Sequence, residues 1–301
     1  MTCKTLLLLL PTLLGPVGLH AERPQVCVAR YDSGRVAALS LTFDDGLLEH
    51  YTVVFPLLRR LGLRATFGLI GSRVGGVTSG KYKNVPCLSW EQAREMALGG
   101  QEITSHGYAH LNVTQLSPAE LRREVQHNDT LIWQHTGQLP RTYLYPGNRK
   151  SDTATAFCSR GRTCTRTSQV SLGGKRTPEW FGGYLCQLMA SHGWGVTMTH
   201  GIAIGYDHFD QPQYFTRMLE LAAARQDSLW IAPLRDVGAY VQERDHARLR
   251  VRQRRGRLVI RVRTGLDPAV FHHPLTLLVD GRPYRVEMGK RGGRLEIELG
   301  K

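Results

Sequence analysis

The sequence predicts an α/β protein built on a mainly parallel sheet, followed by a small antiparallel β unit. Three observations predict it. Short apolar runs alternate with segments of helical apolar spacing from Val36 to Glu243. Polar residues with chemical potential stand directly after those runs: Asp44 and Asp45, His106 and His110, Tyr145 to Asn148, and His200. That is where parallel α/β sheets build their sites. Beyond Arg244 the helical period gives way to a period of two, broken by glycine turns.

Taken in order, Val36 to Phe43 is a buried strand stopped by Asp44-Asp45-Gly46. His50 to Leu61 has helical spacing and ends at Gly62, and Leu63 to Ile70 is the next strand. Ser89 opens a helix, with Gln92 three residues on as a capping box and Gly99-Gly100 as its stop. Gln101 to Thr104 is a short strand running into Ser105-His106. Ser117, Pro118 and Glu120 start another helix. Leu139 to Tyr145 and Gly195 to Thr199 read as strands, Pro212 to Arg225 as a helix, Ser228 to Ala232 as a strand and Val237 to Glu243 as the closing helix. Five alternating segments follow, 249–251, 258–262, 275–279, 284–286 and 295–299. Gly256, Asp280-Gly281 and Gly292-Gly293 turn the chain between them.

At 301 residues the chain has room for one large domain and a small one, and its 42% hydrophobic content excludes a disordered chain. Lys4, the apolar stretch from Leu6 to Leu14 and small residues up to Ala21 have the form of a secretory signal, too short to span a bilayer. The expected organisation is a signal peptide over 1–21, an enzyme domain over 22–245 and a β domain over 246–301, with no transmembrane segment after cleavage. The expected location is secreted, periplasmic or at the cell envelope. After cleavage five cysteines remain, an odd set. Cys158 and Cys164 are near enough to pair in an oxidising compartment, and buried free thiols are the simpler reading. The formal charge of +14 suits an anionic polymer or envelope contact through the basic surface, or solubility alone. Nucleic acid is not expected as a partner, because the run Arg252-Gln253-Arg254-Arg255-Gly256-Arg257 has no interleaved aromatics.

His106 and His110 are four apart, which on a helical turn would put both imidazoles on one face and let them share a divalent ion. Asp44 and Asp45 are adjacent carboxylates after a buried strand, so one can bind metal while its neighbour stays free as a base. Trp180, Trp194 and Trp230 offer faces for sugar rings, although Trp230 sits in an apolar strand and suits the core. Tyr108, between the histidines, is expected to line a cleft. Asn112-Val113-Thr114 and Asn128-Asp129-Thr130 match glycosylation acceptors.

Leu41-Thr42-Phe43-Asp44-Asp45-Gly46 resembles the signature of the NodB-like polysaccharide deacetylases, carbohydrate esterase family four. Leu63 to Phe67 is similar to the strand that follows it in the family. Ser105-His106-Gly107-Tyr108-Ala109-His110 resembles the second motif, Tyr145-Pro146-Gly147-Asn148 a variant of the third, and Met198-Thr199-His200 the last. The motifs come in the family's order. The resemblance implies a distorted (β/α) barrel of the NodB-homology type. It implies a divalent metal, zinc, on Asp45, His106 and His110, with Asp44 as general base, His200 as general acid and the Gly147 N–H as an oxyanion donor. Tyr145 and Pro146, with Tyr108 and Trp194, are then expected to meet a polysaccharide or oligosaccharide substrate. The implied activity is removal of N-acetyl groups from an amino-sugar polymer, chitin- or peptidoglycan-like. The alternatives are an O-acetyl xylan or carbohydrate esterase, and a non-catalytic carbohydrate-binding protein of the same fold.

The chain departs from the family in two places. Leu144 and Tyr145 stand where the third motif often has an arginine, with Arg141 nearby. The Asp–Arg pair that orients the acid and base has no obvious counterpart, and Asp207 and Arg166 are the stand-ins.

Overall fold

The computed structural model describes residues 24–79, 82–254 and 256–298. The signal sequence read over 1–21 lies outside the described residues. Among them no helix is long and apolar enough to cross a membrane.

The strands are β1 (Val26–Val28), β2 (Ala37–Phe43), β3 (Thr66–Leu69), β4 (Glu102–Ser105), β5 (Val170–Ser171), β6 (Trp194–Thr199) and β7 (Leu229–Ile231), then β8 (Arg248–Arg254), β9 (Arg257–Arg263), β10 (Leu275–Val279), β11 (Arg282–Val286) and β12 (Gly293–Glu298). The helices are α1 (Phe55–Arg60), α2 (Trp90–Leu98), α3 (Pro118–Arg122), α4 (Asn128–Thr136), α5 (Asp152–Cys158), α6 (Pro178–Ala190), α7 (Gln213–Ala223) and α8 (Leu234–Asp245).

The fold is α/β, as expected. β2 to β7 form one parallel sheet in the order β4-β3-β2-β6-β5, with β7 also beside β2. β2 is buried along its whole length. A strand covered on both faces has no reason to alternate, so it reads as one apolar run. Phe43 pairs with Thr199 of β6 and with Phe67 of β3, so these strands end level with one another. Parallel bridges from Ser105 to Tyr143 and from Leu144 to Arg166 carry the sheet's edge onward from β4. The sheet therefore curls in the manner of a distorted barrel without a regular ladder closing it. The 139–145 segment forms no full strand, because the Thr142 carbonyl accepts from the Thr104 hydroxyl (2.7 Å) and the Arg162 Nε–H (3.0 Å) instead of from a ladder.

Both expected capping boxes are present, at Ser89 with Gln92 and at Ser117 with Glu120. The helical run after Gly46 opens with a wider π turn over His50–Val54, which faces His50 into the core. Phe43, Phe67, Phe215 and the apolar faces of α1, α2, α6 and α7 fill the main core. Burying each such phenylalanine contributes about 1.5–3 kcal/mol.

The C-terminal part is antiparallel, as the alternation predicts. β8, β9 and β12 make one sheet, and β10 and β11 make another. β1, from the opposite end of the chain, completes the second by pairing with β10. A separate core joins Leu258, Ile260, Val262, Leu275 and Leu277 of these strands to Trp230, Val237 and Tyr240. Trp230 is thus a core residue.

The simpler reading of the cysteines holds, and one glycosylation motif is set aside. Cys158 and Cys164 do not pair and both are free. Cys158 is buried beside Tyr143 and Tyr145, whereas the Cys164 thiol donates to the Leu234 carbonyl at 3.5 Å. Asn128 is no glycosylation acceptor in the folded chain, since it is fully buried with its amide reaching Leu69 O, Ser105 Oγ and Gly107 O.

Candidate metal centre and cleft

Asp44 and Asp45 leave β2 in opposite senses. Asp45 has φ +77° and Gly46 φ +68°, a left-handed pair that reverses the chain at the strand's end. A Cβ at Gly46 would stand 2.9 Å from the Leu69 side chain, so glycine is required there by space as well as by φ. A non-glycine residue held at positive φ costs about 1–3 kcal/mol and is characteristic of functional sites.

Asp44 is buried and clamped by Arg166, Nη1 to Oδ1 at 2.7 Å and Nη2 to Oδ2 at 2.5 Å. Nη1 also donates to Thr42 Oγ1 at 2.7 Å. Burial alone would raise the Asp44 pKa, but Arg166, aided by His106 and His200, holds the carboxyl well below the usual carboxylate range. Asp44 is therefore an ionised group with a fixed direction. Its Oδ2 lies 3.8 Å from His106 Nε2 and 4.0 Å from His200 Nε2.

Asp45 Oδ1 lies 3.5 Å from His106 Nε2 and 3.8 Å from His110 Nε2, and the donor atoms of these three residues lie within 4.8 Å of one another. His106 Nδ1 is 2.9 Å from the Leu144 carbonyl. A carbonyl only accepts, so Nδ1 carries a proton, and this bond directs Nε2 toward Asp45. Burial, and then the neighbouring His106, push His110 down to about 4, so it is neutral at pH 7. Asp45 Oδ1 is buried with no hydrogen-bond partner among the described residues. An orphaned carboxylate oxygen facing two imidazole nitrogens fits a divalent cation.

The histidine pair is not helical, which corrects the spacing argument. His106 to His110 is a loop, with Gly107 at φ +79° and His110 at φ +60°. Glu124, buried, shapes it by accepting from the N–H groups of Ala109 (3.0 Å) and Leu111 (2.9 Å). A Cβ on Gly107 would strike the same carboxylate at 2.5 Å. The four-residue spacing is thus served by a loop wrapped on a carboxylate.

His200 follows β6 on the same rim, and its ring meets the Tyr206 ring edge at 4.8 Å. Its Nδ1 is buried without a partner among the described residues. Asp207 does not serve it, because that carboxylate accepts from the Ser171 hydroxyl. Arg141 also points elsewhere, to the carbonyls of Gly161 and Ala269. Of the stand-ins only Arg166 reaches the site. His50 was not anticipated at all. It is buried, its Nε2–H donates to the His200 carbonyl at 2.8 Å, and burial pushes it down to about 4, so it anchors the His200 backbone as a neutral ring.

These groups open on a cleft of ≈ 380 Å³ that Tyr145, Gly147, Asn148, Arg73, Tyr82 and Tyr206 also line. Gly147, at φ +58°, lies in the turn Pro146–Asn148 on its wall. Pro146, the first residue of that turn, is buried and does not line the cleft. Two expected lining residues are elsewhere. The Tyr108 ring packs on His127, 4.7 Å away, outside the cleft. Trp194 is the first residue of β6, about 20 Å along the strand from His200, and donates to Ser40 Oγ at 3.1 Å.

Residues 32–160 match the family model described as polysaccharide deacetylase. A Bacillus subtilis protein named "Putative polysaccharide deacetylase YxkH" is 31% identical over 112 residues, 37% of this chain and 37% of that protein. A chitin deacetylase from Pestalotiopsis sp. is 29% identical over 107 residues, 36% of this chain and 33% of that protein. The match thus spans about a third of the length of these relatives. A solved structure from Mycobacterium smegmatis, with the same polysaccharide deacetylase description as the first relative, superposes with a TM-score of 0.58 at 14% identity, covering 73% of this chain and 94% of that one. In sequence over residues 32–160 and in fold over most of its length, the chain resembles the NodB-like polysaccharide deacetylases.

Proposed function

We propose that this chain is a metal-dependent polysaccharide deacetylase that hydrolyses N-acetyl groups of an amino-sugar polymer outside the cytoplasm. In this reading residues 22–245 are the catalytic domain and 246–301 a small β domain. One observation carries it. A buried, partnerless Asp45 oxygen faces two imidazole Nε2 atoms, while the adjacent Asp44 is held apart by an arginine. A purely binding protein has no physical need for a three-donor cluster beside a separately clamped carboxylate.

Asp45 Oδ1, His106 Nε2 and His110 Nε2 would hold the ion, and two imidazoles with one carboxylate suit zinc. When bound, the ion polarises the acetyl carbonyl and acidifies water. Asp44 takes the proton of the attacking water, and Arg166 keeps that carboxylate ionised and aimed. The Gly147 N–H donates to the oxygen on which charge develops. His200, whose Nε2 lies 4.0 Å from Asp44 Oδ2, gives a proton from Nε2 to the departing amine. Tyr145 and Tyr206 supply cleft walls for sugar rings.

The test is acetate release from chitin oligomers, peptidoglycan fragments and acetylated xylan by metal-stripped and zinc-reloaded protein. Zinc-dependent release from an N-acetylated substrate supports the proposal. Release from acetylated xylan alone would replace it with the ester reading, and no release with zinc bound would favour a binding role.

A further inference from the structure

β8, β9 and β12 form a sheet with two unlike faces. One carries Leu258, Ile260 and Val262 into the core. The other presents Arg248, Arg250, Arg252 and Arg254 from β8 to solvent. β9 adds Arg257, Arg261 and Arg263, and β12 adds Arg294. The register sets these charges against each other. Arg248 is opposite Arg263, Arg250 opposite Arg261, and Arg254 opposite Arg257. Arg261, on the central strand, has Arg294 opposite it on its other side.

Like charges directly across a ladder destabilise a sheet. Only Arg257 and Arg294 find a carboxylate, from Glu298 and Glu296. Among the described residues no acid pairs with Arg248, Arg250, Arg252, Arg254, Arg261 or Arg263. Solubility alone needs no such apposition, because mixed signs serve it as well. A face that keeps this repulsion is complementary to an external polyanion. The backbone positions of the arginines repeat about 7 Å along β8 and lie about 5 Å apart between strands, and grooves run between their rows.

We infer that this face binds a linear acidic polysaccharide, its carboxylates taken by the unpaired arginines of β8 and β9. Arginine matches a carboxylate with two parallel N–H donors, so the chemistry is charge plus a planar fork. Val259, Glu296 and Glu298 stand among the arginines and no residue of the face is aromatic, so it has no platform on which bases would stack. That argues for a glycan over a single-stranded nucleic acid. The preference for a glycan rests in part on the proposed function of the cleft; the charge argument does not.

The experiment measures binding of the full chain to immobilised polygalacturonate, with neutral dextran and single-stranded DNA as comparators, at low and raised salt. The wild type is expected to bind polygalacturonate, to ignore dextran and to lose affinity as salt rises. The triple variant R250Q/R252Q/R261Q should bind about tenfold more weakly or worse. Lysine at the same three positions should restore only part of that loss, because it returns the charge without the fork. A charge-matched control on exposed helix positions, R94Q/R122Q/R123Q, should stay within about twofold of wild type. Asp45→Ala should bind as wild type does, which separates this surface from failure of the cleft. Equal loss in the two glutamine triples would reduce the effect to net charge and overturn the inference. So would an unchanged face triple, an absence of polygalacturonate binding at low salt, or DNA binding about tenfold tighter than polygalacturonate.

Discussion

The rim of the parallel sheet and the outer face of the β8-β9-β12 sheet both concentrate charge, and they handle it in opposite ways. At the rim each charge is answered within the chain or set toward a common point. Arg166 takes both oxygens of Asp44, and Asp45 converges with His106 and His110. On the outer face arginines stand against arginines with few acids between them. The first arrangement is preorganised for chemistry at the floor of a cleft. The second is incomplete without something outside the chain. The difference teaches that charge count is a poor guide to role, whereas the register that sets charge against charge is a good one.

Breaking a compensated charge should be costly, and the largest effect is expected where the charge does chemistry. Asp44→Asn should lower turnover by roughly 10²–10⁴-fold, the usual worth of a positioned base. Steady-state acetate release measures it, and activity near wild type would remove Asp44 from the mechanism. Arg166→Gln leaves a buried carboxylate with no counter-charge, so denaturant unfolding should show a loss of about 3–5 kcal/mol at neutral pH. A loss well under 1 kcal/mol would mean that the pair is not buried as described.

Glu243 sharpens the comparison at the joint between the regions. It is buried, accepts the His273 N–H at 2.9 Å and has no ion pair among the described residues. Burial pushes its pKa up to about 7 against the weaker opposing hydrogen bond. The folded state therefore holds this proton more tightly than the unfolded one. Stability from this group is greatest below the unfolded carboxyl pKa of about 4.3 and falls as pH rises toward 7. Glu243→Gln should flatten that decline in melting temperature, and an unchanged slope would exclude Glu243 as its source. The smallest effect is expected on the arginine face. Arg261→Gln should raise the melting temperature slightly at low salt, with the gain vanishing at high salt. Destabilisation instead would show that the arginines are held by partners within the chain.

Much of this was legible in the sequence, for identifiable reasons. The apolar run of β2 and the Asp44-Asp45-Gly46 stop are local signals, so strand, turn and paired carboxylates could be read together. The rim itself followed from polar residues standing after strands. The histidine spacing was legible but its geometry was not, because the loop is set by Glu124, 14 residues beyond His110 and shown by nothing in the intervening pattern. Arg166 lies 122 positions from Asp44, so only the fold could choose it over Arg141. Trp194 was misplaced although its position was readable, since the first residue of a strand ending at His200 must lie at the opposite end. α5 and α6 are not marked by the sequence pattern, and in α6 Gly182 and Gly183 interrupt the helical apolar spacing.

The central claim is the division of labour between two adjacent carboxylates. Its most direct test is the zinc bound per chain in Asp44→Asn and Asp45→Ala, measured on purified protein after reloading. The first variant should keep near-stoichiometric zinc and the second should lose it. Equal retention or equal loss in the two would contradict it.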